Sequence, residues 1–428
     1  MNMQNPDLLR AITRWELTAL ALNQIIGAGI FGLPAAAAAV LGAASPIGIL
    51  IGGAMMCAVV LCFSEAAGYF IDTGGSYAYA RTVFGEFTGF EVGWTLWLSR
   101  VTAFAANSNL LVAYLAFFIP GAANGIGRAI VLTLIAAGLM ITNIRGVSWG
   151  SRSGAIFAAA KVGVLLLFTL AGLAFVDWSR FSNTSLPVQA DWGRAVLLLV
   201  YAYSGFESVV VPAAEAKNPR RDLPFALLIA LGVCALIYIG VQVVAVGTVM
   251  DLARSERPLV DCARTFMGPI AAAFISLLVC LSITGNLSAI ALLAPRITYA
   301  QAERGDLPVL FMKVHPRYRT PAFSIMFFTV VAVTLAISGT FVWLVTVSVL
   351  GRLANYITTC LAVPVLRKRF GITPGLRIPL GITIPIAGVV FCIWLGAQAS
   401  YSDLRDFLIA CVAGGGLYLV RKHPSSFL

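Results

Sequence analysis

The sequence contains few charged residues. Only 11% of its 428 residues are Asp, Glu, Lys or Arg, whereas 60% are hydrophobic and the mean hydropathy is +0.91. About a quarter of the residues in a soluble globular protein are charged. The composition therefore excludes a large soluble enzyme and predicts a polytopic membrane protein that is embedded in a lipid bilayer.

Histidine and loop cysteine are also scarce. The two histidines, His315 and His423, fall in predicted loops, and Cys262 is the only one of eight cysteines outside an apolar segment. This pattern lacks a disulfide framework, a CxxC metal site and a histidine relay at membrane depth. Paired deep carboxylates and a P-loop are missing as well. We therefore predict no catalytic residues, no metal and no cofactor, and neither an enzyme nor an ATP-driven pump.

Long apolar runs divide the chain into twelve predicted membrane spans. A spanning helix needs about 20 apolar residues. The predicted spans are 15–40, 45–70, 87–119, 127–143, 153–176, 193–215, 224–249, 267–300, 321–338, 341–366, 380–399 and 404–420. The predicted fold class is an all-α polytopic membrane protein with a 5+5 inverted repeat, broken helices 1 and 6, and two further C-terminal helices. The predicted divisions are 1–14 (N-terminal segment), 15–176 and 193–366 (the two repeats), 380–420 (helices 11 and 12) and 421–428 (tail).

The basic residues indicate the orientation of the chain. Of the 29 Lys and Arg residues, 19 fall on the side of the N-terminus, 7 on the opposite side and 3 within spans. Because cytoplasmic loops carry the excess of basic residues, both termini are predicted to be cytoplasmic. The N-terminus, MNMQNPDLLRAITRW, lacks a signal-peptide pattern. The net charge of +11 comes from short loop clusters, which indicates lipid headgroups and not nucleic acid as the partner. We expect a plasma membrane location, such as a bacterial inner membrane, and the sequence predicts no oligomeric state.

Two spans are interrupted near their centres. Helix 1 contains NQIIGAGIFGLP, in which Gly27 precedes Pro34 by seven residues, and helix 6 contains YSGFESVVVP, in which Gly205 precedes Pro212 by seven residues. Paired interruptions in two halves of a chain are typical of inverted repeats that bind a substrate at the membrane midplane. The alternative is that these glycines only form small-residue packing faces between helices.

A broken helix supplies backbone groups for binding. Irregular backbone at membrane depth is tolerated only where it lines a cavity or is buried in protein. The exposed N–H groups of one half-helix suit a carboxylate, and the exposed carbonyls of the other half suit an ammonium group. A zwitterionic amino acid matches this pair of sites.

Several motifs resemble the amino acid–polyamine–organocation superfamily, whose members have the LeuT-type fold. The motifs are IIGAGIF, GGSYAYARTVFGEFTGFEVGW (the family's helix 2–3 loop), YSGFES, EAKNPRRDLP and APRITYAQAERGDLP. The resemblance implies an amino acid permease in which helices 1, 2, 6 and 7 move against helices 3, 4, 8 and 9.

The resemblance also implies a set of substrate contacts. The substrate carboxylate would bind the amides around Ala28 and Gly29, beside Gly27. The substrate amine would bind the carbonyls of Ile25, Tyr201 and Ser204, beside Gly205. Many relatives have serine where this chain has Ala28, so one hydroxyl contact to the carboxylate is absent.

Lys161 is a candidate for proton coupling. It lies about eight residues into helix 5, and a desolvated lysine exchanges its proton closer to neutral pH than an exposed one. In proton-coupled relatives, a lysine at the matching place contacts the carbonyls at the helix 1 break. The alternative is that Lys161 extends to the cytoplasmic edge of the membrane.

Three other charged residues fall deep in predicted spans. Glu207 follows the helix 6 break, Arg100 lies on helix 3 and Arg352 on helix 10. Such groups are costly in a membrane and are candidates for function. We predict that Glu207 or freed carbonyls neutralise at least one arginine. The pair either fixes the bundle or breaks when the protein changes between outward-open and inward-open states.

The remaining candidates concern the substrate side chain. Asn107 and Asn286 could line the pocket, although hydrogen bonding between helices is the more frequent use of such residues. Tyr203 and Phe206, together with Ala28 and Tyr201, would give the pocket a small, apolar and aromatic lining.

This lining predicts a neutral, mostly apolar amino acid as the substrate. The family resemblance implies a secondary active transporter that works by alternating access, and Lys161 indicates proton coupling. The alternatives are an amino acid exchanger or exporter, a transporter of cationic amino acids or polyamines, and a sensor or scaffold with a transporter fold and no flux.

Overall fold

The architecture is taken from a computed structural model that describes residues 12–70, 75–146, 151–182, 190–210, 216–371 and 375–420. These residues form α-helices joined by short turns. The helices are α1 Arg14–Ile25, α2 Gly29–Leu41, α3 Ser45–Ala67, α4 Gly75–Phe84, α5 Glu86–Leu115, α6 Gly125–Ile144, α7 Ser151–Leu173, α8 Ser179–Ser182, α9 Trp192–Tyr203, α10 Pro219–Thr248, α11 Pro258–Glu303, α12 Ala322–Ser338, α13 Phe341–Phe370, α14 Thr383–Gly396 and α15 Tyr401–Leu419. The predicted all-α class of polytopic membrane protein is confirmed.

The count of twelve spans stays a prediction. Within the described ranges, five helical segments are individually long and apolar enough to cross a membrane. The pair α14 and α15 also passes this test together, bent by 112° at its connection. The division into two inverted repeats also stays a prediction.

Two segments differ from their sequence-based interpretation. The region interpreted as the loop between helices 2 and 3 contains α4, and α5 begins directly after it at Glu86. Cys262 lies in α11 and not in a loop, because this helix begins at Pro258, and the chain bends at Gly268 (φ +80°). Hydrophobicity alone missed both helical segments, because each is short and lies next to a longer apolar run.

The first helix begins at a polar cap. The Thr13 hydroxyl oxygen accepts from the Glu16 N–H at 3.3 Å, and the Glu16 carboxylate accepts from the Thr13 N–H at 2.8 Å. This capping box satisfies two donors that a helix start leaves unpaired. Just before it, the Ile12 carbonyl accepts from the Lys217 N–H at 2.9 Å. The start of α1 is therefore joined to the segment that follows helix 6.

Both predicted breaks are present. Residues 26–28 separate α1 from α2, and α9 ends at Tyr203 before Gly205 adopts φ +115° and ψ −25°. A short 3₁₀ turn, Phe206–Ser208, follows, whereas Pro212 lies outside the described residues. The breaks therefore lie at the glycine-containing segments that the sequence predicted, whereas Pro34 lies within α2 and does not interrupt it.

The two breaks pack directly against each other through backbone atoms. A Cβ atom added at Gly205 would collide with the Gln24 carbonyl, and one added at Gly29 would lie 2.9 Å from the Ala202 Cα. Other helices surround this contact: α10 packs against α1 and α3, and α5 packs against α11 and α13. The close approach of the two breaks depends on glycine at both positions.

We expect Gly205→Ala to destabilise the protein by about 1–3 kcal/mol, because alanine is strained at positive φ and its methyl group would strike the Gln24 carbonyl. Thermal unfolding of the purified protein in detergent would measure the change. Gly232→Ala is the matched control, since a Cβ at this position of α10 meets no atom within 4 Å. Equal midpoints for the two variants would show that the backbone contact contributes little.

Candidate functional site

The break in helix 1 leaves backbone amides at the start of α2, close to helix 6. Ala28 precedes the first residue of α2 and is 1% exposed. The first N–H groups of any α-helix have no partner within that helix, so the amides of Gly29 and Ile30 depend on groups outside α2. The helix dipole adds partial positive charge at this end. The start of α2 is therefore suited to an anionic group.

Two of the three predicted amine-binding carbonyls, those of Ile25 and Tyr201, already accept hydrogen bonds. The Ile25 carbonyl accepts from the Gly27 N–H at 2.7 Å and from the Tyr238 hydroxyl at 3.1 Å. The Tyr201 carbonyl accepts from the Ser204 N–H at 3.2 Å and from the Ser204 hydroxyl at 2.6 Å. A ligand ammonium group would have to share these carbonyls or displace the hydroxyl groups.

Tyr238 joins the two breaks and was missed by sequence reasoning. Its hydroxyl lies 3.1 Å from the Ile25 carbonyl and 3.2 Å from the Ala202 carbonyl. One turn later on α10, the Gln242 side-chain nitrogen donates to the Pro34 carbonyl at 3.1 Å and to the Ser45 hydroxyl at 2.8 Å. The i, i+4 spacing of two polar side chains on an apolar helix was the available signal, because such residues share one face.

A small cavity lies beside the breaks. It has a volume of about 10 Å³ and is lined by Ile30, Pro34, Tyr203, Tyr238 and Gln242 among others. This volume is close to what one water molecule needs and is far too small for an amino acid. Tyr203 lines the cavity with its hydroxyl donated to the Ile49 carbonyl at 2.9 Å. The structure is therefore closed around this part of the candidate site.

A polar chain connects Tyr201 to the helix 1 break. The Tyr201 hydroxyl donates to Asn107 at 2.7 Å, and the Asn107 amide donates to Asn286 at 2.7 Å. A Cβ atom at Gly27 would lie 3.3 Å from the Asn286 side-chain nitrogen. Both asparagines thus bridge helices, and through Asn286 they also lie against Gly27. Phe206 instead packs in an aromatic cluster with Phe63 and Tyr356.

Lys161 reaches the same break from α7. Its side-chain nitrogen donates to the Ile26 carbonyl at 3.2 Å, and the residue is 7% exposed. In this structure the side chain is buried against the helix 1 break. The lysine therefore supplies a donor to a carbonyl that the interruption of helix 1 leaves without a regular helical partner.

Glu207 lies between Arg100 and Arg352. One carboxylate oxygen accepts from the Arg100 guanidinium and from Arg352 Nε, both at 3.1 Å, and the other accepts from the Gly205 N–H at 2.8 Å. The Arg352 guanidinium also lies over the Tyr201 ring at 5.4 Å. This ionic cluster, hereafter the triad, joins α5, the helix 6 break and α13.

The sequence also matches a known protein family. The family model described as amino acid permease matches residues 12–405. The chain belongs to the amino acid permease family. This permease is therefore a multi-pass membrane protein of amino acid transport and not an enzyme.

Three curated relatives, all from Bacillus subtilis (strain 168), illustrate the range of named substrates. The methylthioribose transporter is 30% identical, with 98% of this chain and 95% of the relative covered. The branched-chain amino acid permease BcaP is 26% identical, with 97% and 94% covered. The serine/threonine exchanger SteT is 27% identical, with 100% of both covered.

We expect Tyr238→Phe to loosen both breaks together, because it removes the one hydroxyl proton that two backbone carbonyls share. A lost buried hydrogen bond costs about 1 kcal/mol. Hydrogen exchange followed by mass spectrometry should show faster exchange in residues 22–30 and 201–208.

Tyr114→Phe is the matched control, because the Tyr114 hydroxyl donates at 2.8 Å to the carbonyl of Phe31, which lies within α2. This control should leave exchange in residues 201–208 unchanged. Unchanged exchange in Tyr238→Phe would rule out the bridging role.

Proposed function

We propose that this permease is a secondary active transporter of neutral, mostly apolar amino acids, coupled to protons through Lys161. The substrate carboxylate binds the amides of Ala28 and Gly29 at the start of α2. The substrate amine binds the carbonyls of Ile25, Tyr201 and Ser204. These positions are supported by the facing helix breaks and by the chemistry of half-helix termini.

The net positive charge of the triad supports the proposal of a neutral substrate. Glu207 is the acidic residue beside the helix 6 break, and both of its carboxylate oxygens already accept hydrogen bonds. A cationic side chain would find no unengaged carboxylate there and would meet two arginines. This observation argues against the alternative of a cationic amino acid or polyamine. Ala28 and the ring of Tyr201 leave an apolar surface for the substrate side chain.

Substrate binding must compete with internal donors. The Ser204 and Tyr238 hydroxyls bind two of the carbonyls assigned to the substrate amine. We propose that the amine takes over these contacts when the site opens. The serine that many relatives have at position 28 is missing, so backbone amides alone hold the carboxylate at this position.

Lys161 couples the proton to helix 1. When protonated, its amine donates to the Ile26 carbonyl and ties α7 to the break. Loss of the proton leaves a neutral amine that binds this carbonyl more weakly, so helix 1 becomes free to move. The buried contact at 3.2 Å supports this proposal.

Alternating access moves helices 1, 2, 6 and 7 against helices 3, 4, 8 and 9, with both termini in the cytoplasm. The triad connects the helix 6 break to α5, which is helix 3 of the non-moving set. We propose that the ion pair between Glu207 and Arg100 breaks and re-forms during this motion. Exchange of one amino acid for another is the second candidate mode, favoured by the similarity to a serine/threonine exchanger.

Uptake into proteoliposomes tests the proposed substrate. Neutral amino acids such as leucine, alanine and serine should be taken up, whereas arginine and putrescine should neither enter nor compete. Methylthioribose belongs in the panel because a relative transports it. Preloading the liposomes with substrate separates exchange from net uptake. Binding of leucine without uptake would indicate a sensor, and the absence of uptake for every α-amino acid would overturn the proposal.

Lys161→Met should abolish accumulation driven by a pH gradient, reducing the internal-to-external substrate ratio to about 1, because methionine has no proton to exchange. Uptake of a neutral amino acid with and without the gradient would measure this effect. Lys217→Met is the control, because Lys217 is exposed. If Lys161→Met keeps the wild-type response to the gradient, another group carries the proton.

A further inference from the structure

The triad carries one more positive than negative charge. Arginine stays protonated under all conditions relevant to proteins, so Arg100 and Arg352 contribute two positive charges and Glu207 contributes one negative charge. Among the described residues, Glu207 is the only carboxylate within 4.0 Å of either guanidinium. The side chains of Glu207 and Arg352 are 2% and 3% exposed. A buried charge without a counter-charge is costly, especially in a membrane protein.

The two arginines also have unused donors. Arg100 binds Glu207 and Ser208 through Nη2 alone, and Arg352 uses Nε and Nη1. Within the described ranges, Nε and Nη1 of Arg100 and Nη2 of Arg352 have no acceptor. The Arg100 side chain retains 9% of its surface exposed. An acceptor that reaches this point would therefore meet unpaired guanidinium donors.

A buried phenol provides an independent observation. Tyr356 is 0% exposed, and its hydroxyl has no hydrogen-bond partner among the described residues. Tyr356 follows Arg352 by one turn of α13, and its ring stacks on that of Phe206, the neighbour of Glu207, with ring centroids 5.6 Å apart. A buried hydroxyl without a partner is unusual, because native proteins pair nearly all such groups. The excess positive charge would be balanced by a negative group. The unused guanidinium donors and this hydroxyl lack an acceptor. A single anion would supply both.

We propose that the triad binds one small monovalent anion, held by the unused N–H groups of Arg100 and Arg352 and by the Tyr356 hydroxyl. The anion is either chloride or a small carboxylate from solution. This site is separate from the amides of Ala28 and Gly29, to which the proposed function assigns the substrate carboxylate, so it does not rest on that function. Guanidinium groups bind both kinds of anion through charge-assisted hydrogen bonds.

Thermal unfolding of the purified protein in detergent tests the site without any transport measurement. Sodium isethionate, whose anion is bulky, is replaced stepwise by sodium chloride or by sodium acetate at constant ionic strength. A ligand that binds only the folded state raises the unfolding midpoint as its concentration exceeds its dissociation constant. We expect a saturable rise of a few degrees in chloride, in acetate or in both.

The two salts distinguish the sources of the anion. A rise in acetate alone assigns the site to carboxylates, and a rise in chloride indicates an inorganic anion. Equal midpoints for the wild-type protein in all three salts would overturn the proposal. Because the readout is stability, a failure of amino acid uptake would overturn the proposed function and leave this site standing.

Charge-changing variants give responses of opposite direction. Arg100→Gln makes the cluster neutral and should remove the anion response, and Arg352→Gln should do the same if the first variant does not fold. Glu207→Gln removes the negative charge and leaves two uncompensated positive charges. Its unfolding midpoint should therefore rise at a lower anion concentration than that of the wild-type protein. Arg128→Gln, which removes an arginine bound to Asn109 and to backbone carbonyls, should respond like the wild-type protein. A wild-type response in a folded Arg100→Gln variant would contradict the proposal.

Discussion

The backbone contact between the two broken helices is the constraint on which the rest of the site depends. Gly205 lies so close to Gln24 that a side chain there is excluded, and its positive φ turns the chain away from α9. Backbone at membrane depth must find partners in the protein. The Tyr238 hydroxyl lies within hydrogen-bond distance of the Ile25 carbonyl on one side and of the Ala202 carbonyl on the other. The amides at the start of α2 suit the carboxylate that we propose binds there.

The charges around this contact change the interpretation of Glu207. A single acid in the middle of apolar helices is most simply interpreted as a partner for a cation. In the folded protein, two arginines and the Gly205 N–H engage both of its oxygens. The helix 6 break is therefore an electropositive environment, because two guanidinium groups outweigh one carboxylate. The proposed preference for neutral substrates therefore rests on the sum of these charges and not on the acid alone.

The sequence was sufficient to predict features that are local in the chain. The glycines located both breaks, and the isolated Lys161 and Glu207 were recognised because charge is rare at membrane depth. The partners of these residues were less accessible. Tyr238 contacts a carbonyl 213 positions away and Asn107 pairs with a residue 179 positions away. Such contacts depend on how helices pack, and periodicity indicates which face is buried without indicating its partner. Hydrophobicity likewise missed α4, because this short helix need not span the membrane.

Two kinds of positively charged side chain contact the two breaks, and they differ in whether pH can change their charge. Lys161 contacts helix 1 and can lose its proton, whereas Arg100 and Arg352 contact helix 6 and stay charged. A change in pH can therefore alter the contact between α7 and helix 1 directly. The triad can respond only through a change in its anion or in its geometry. We infer that the proposed proton coupling acts first on helix 1, and that helix 6 follows through the backbone contact at Gly205 and the shared hydroxyl of Tyr238.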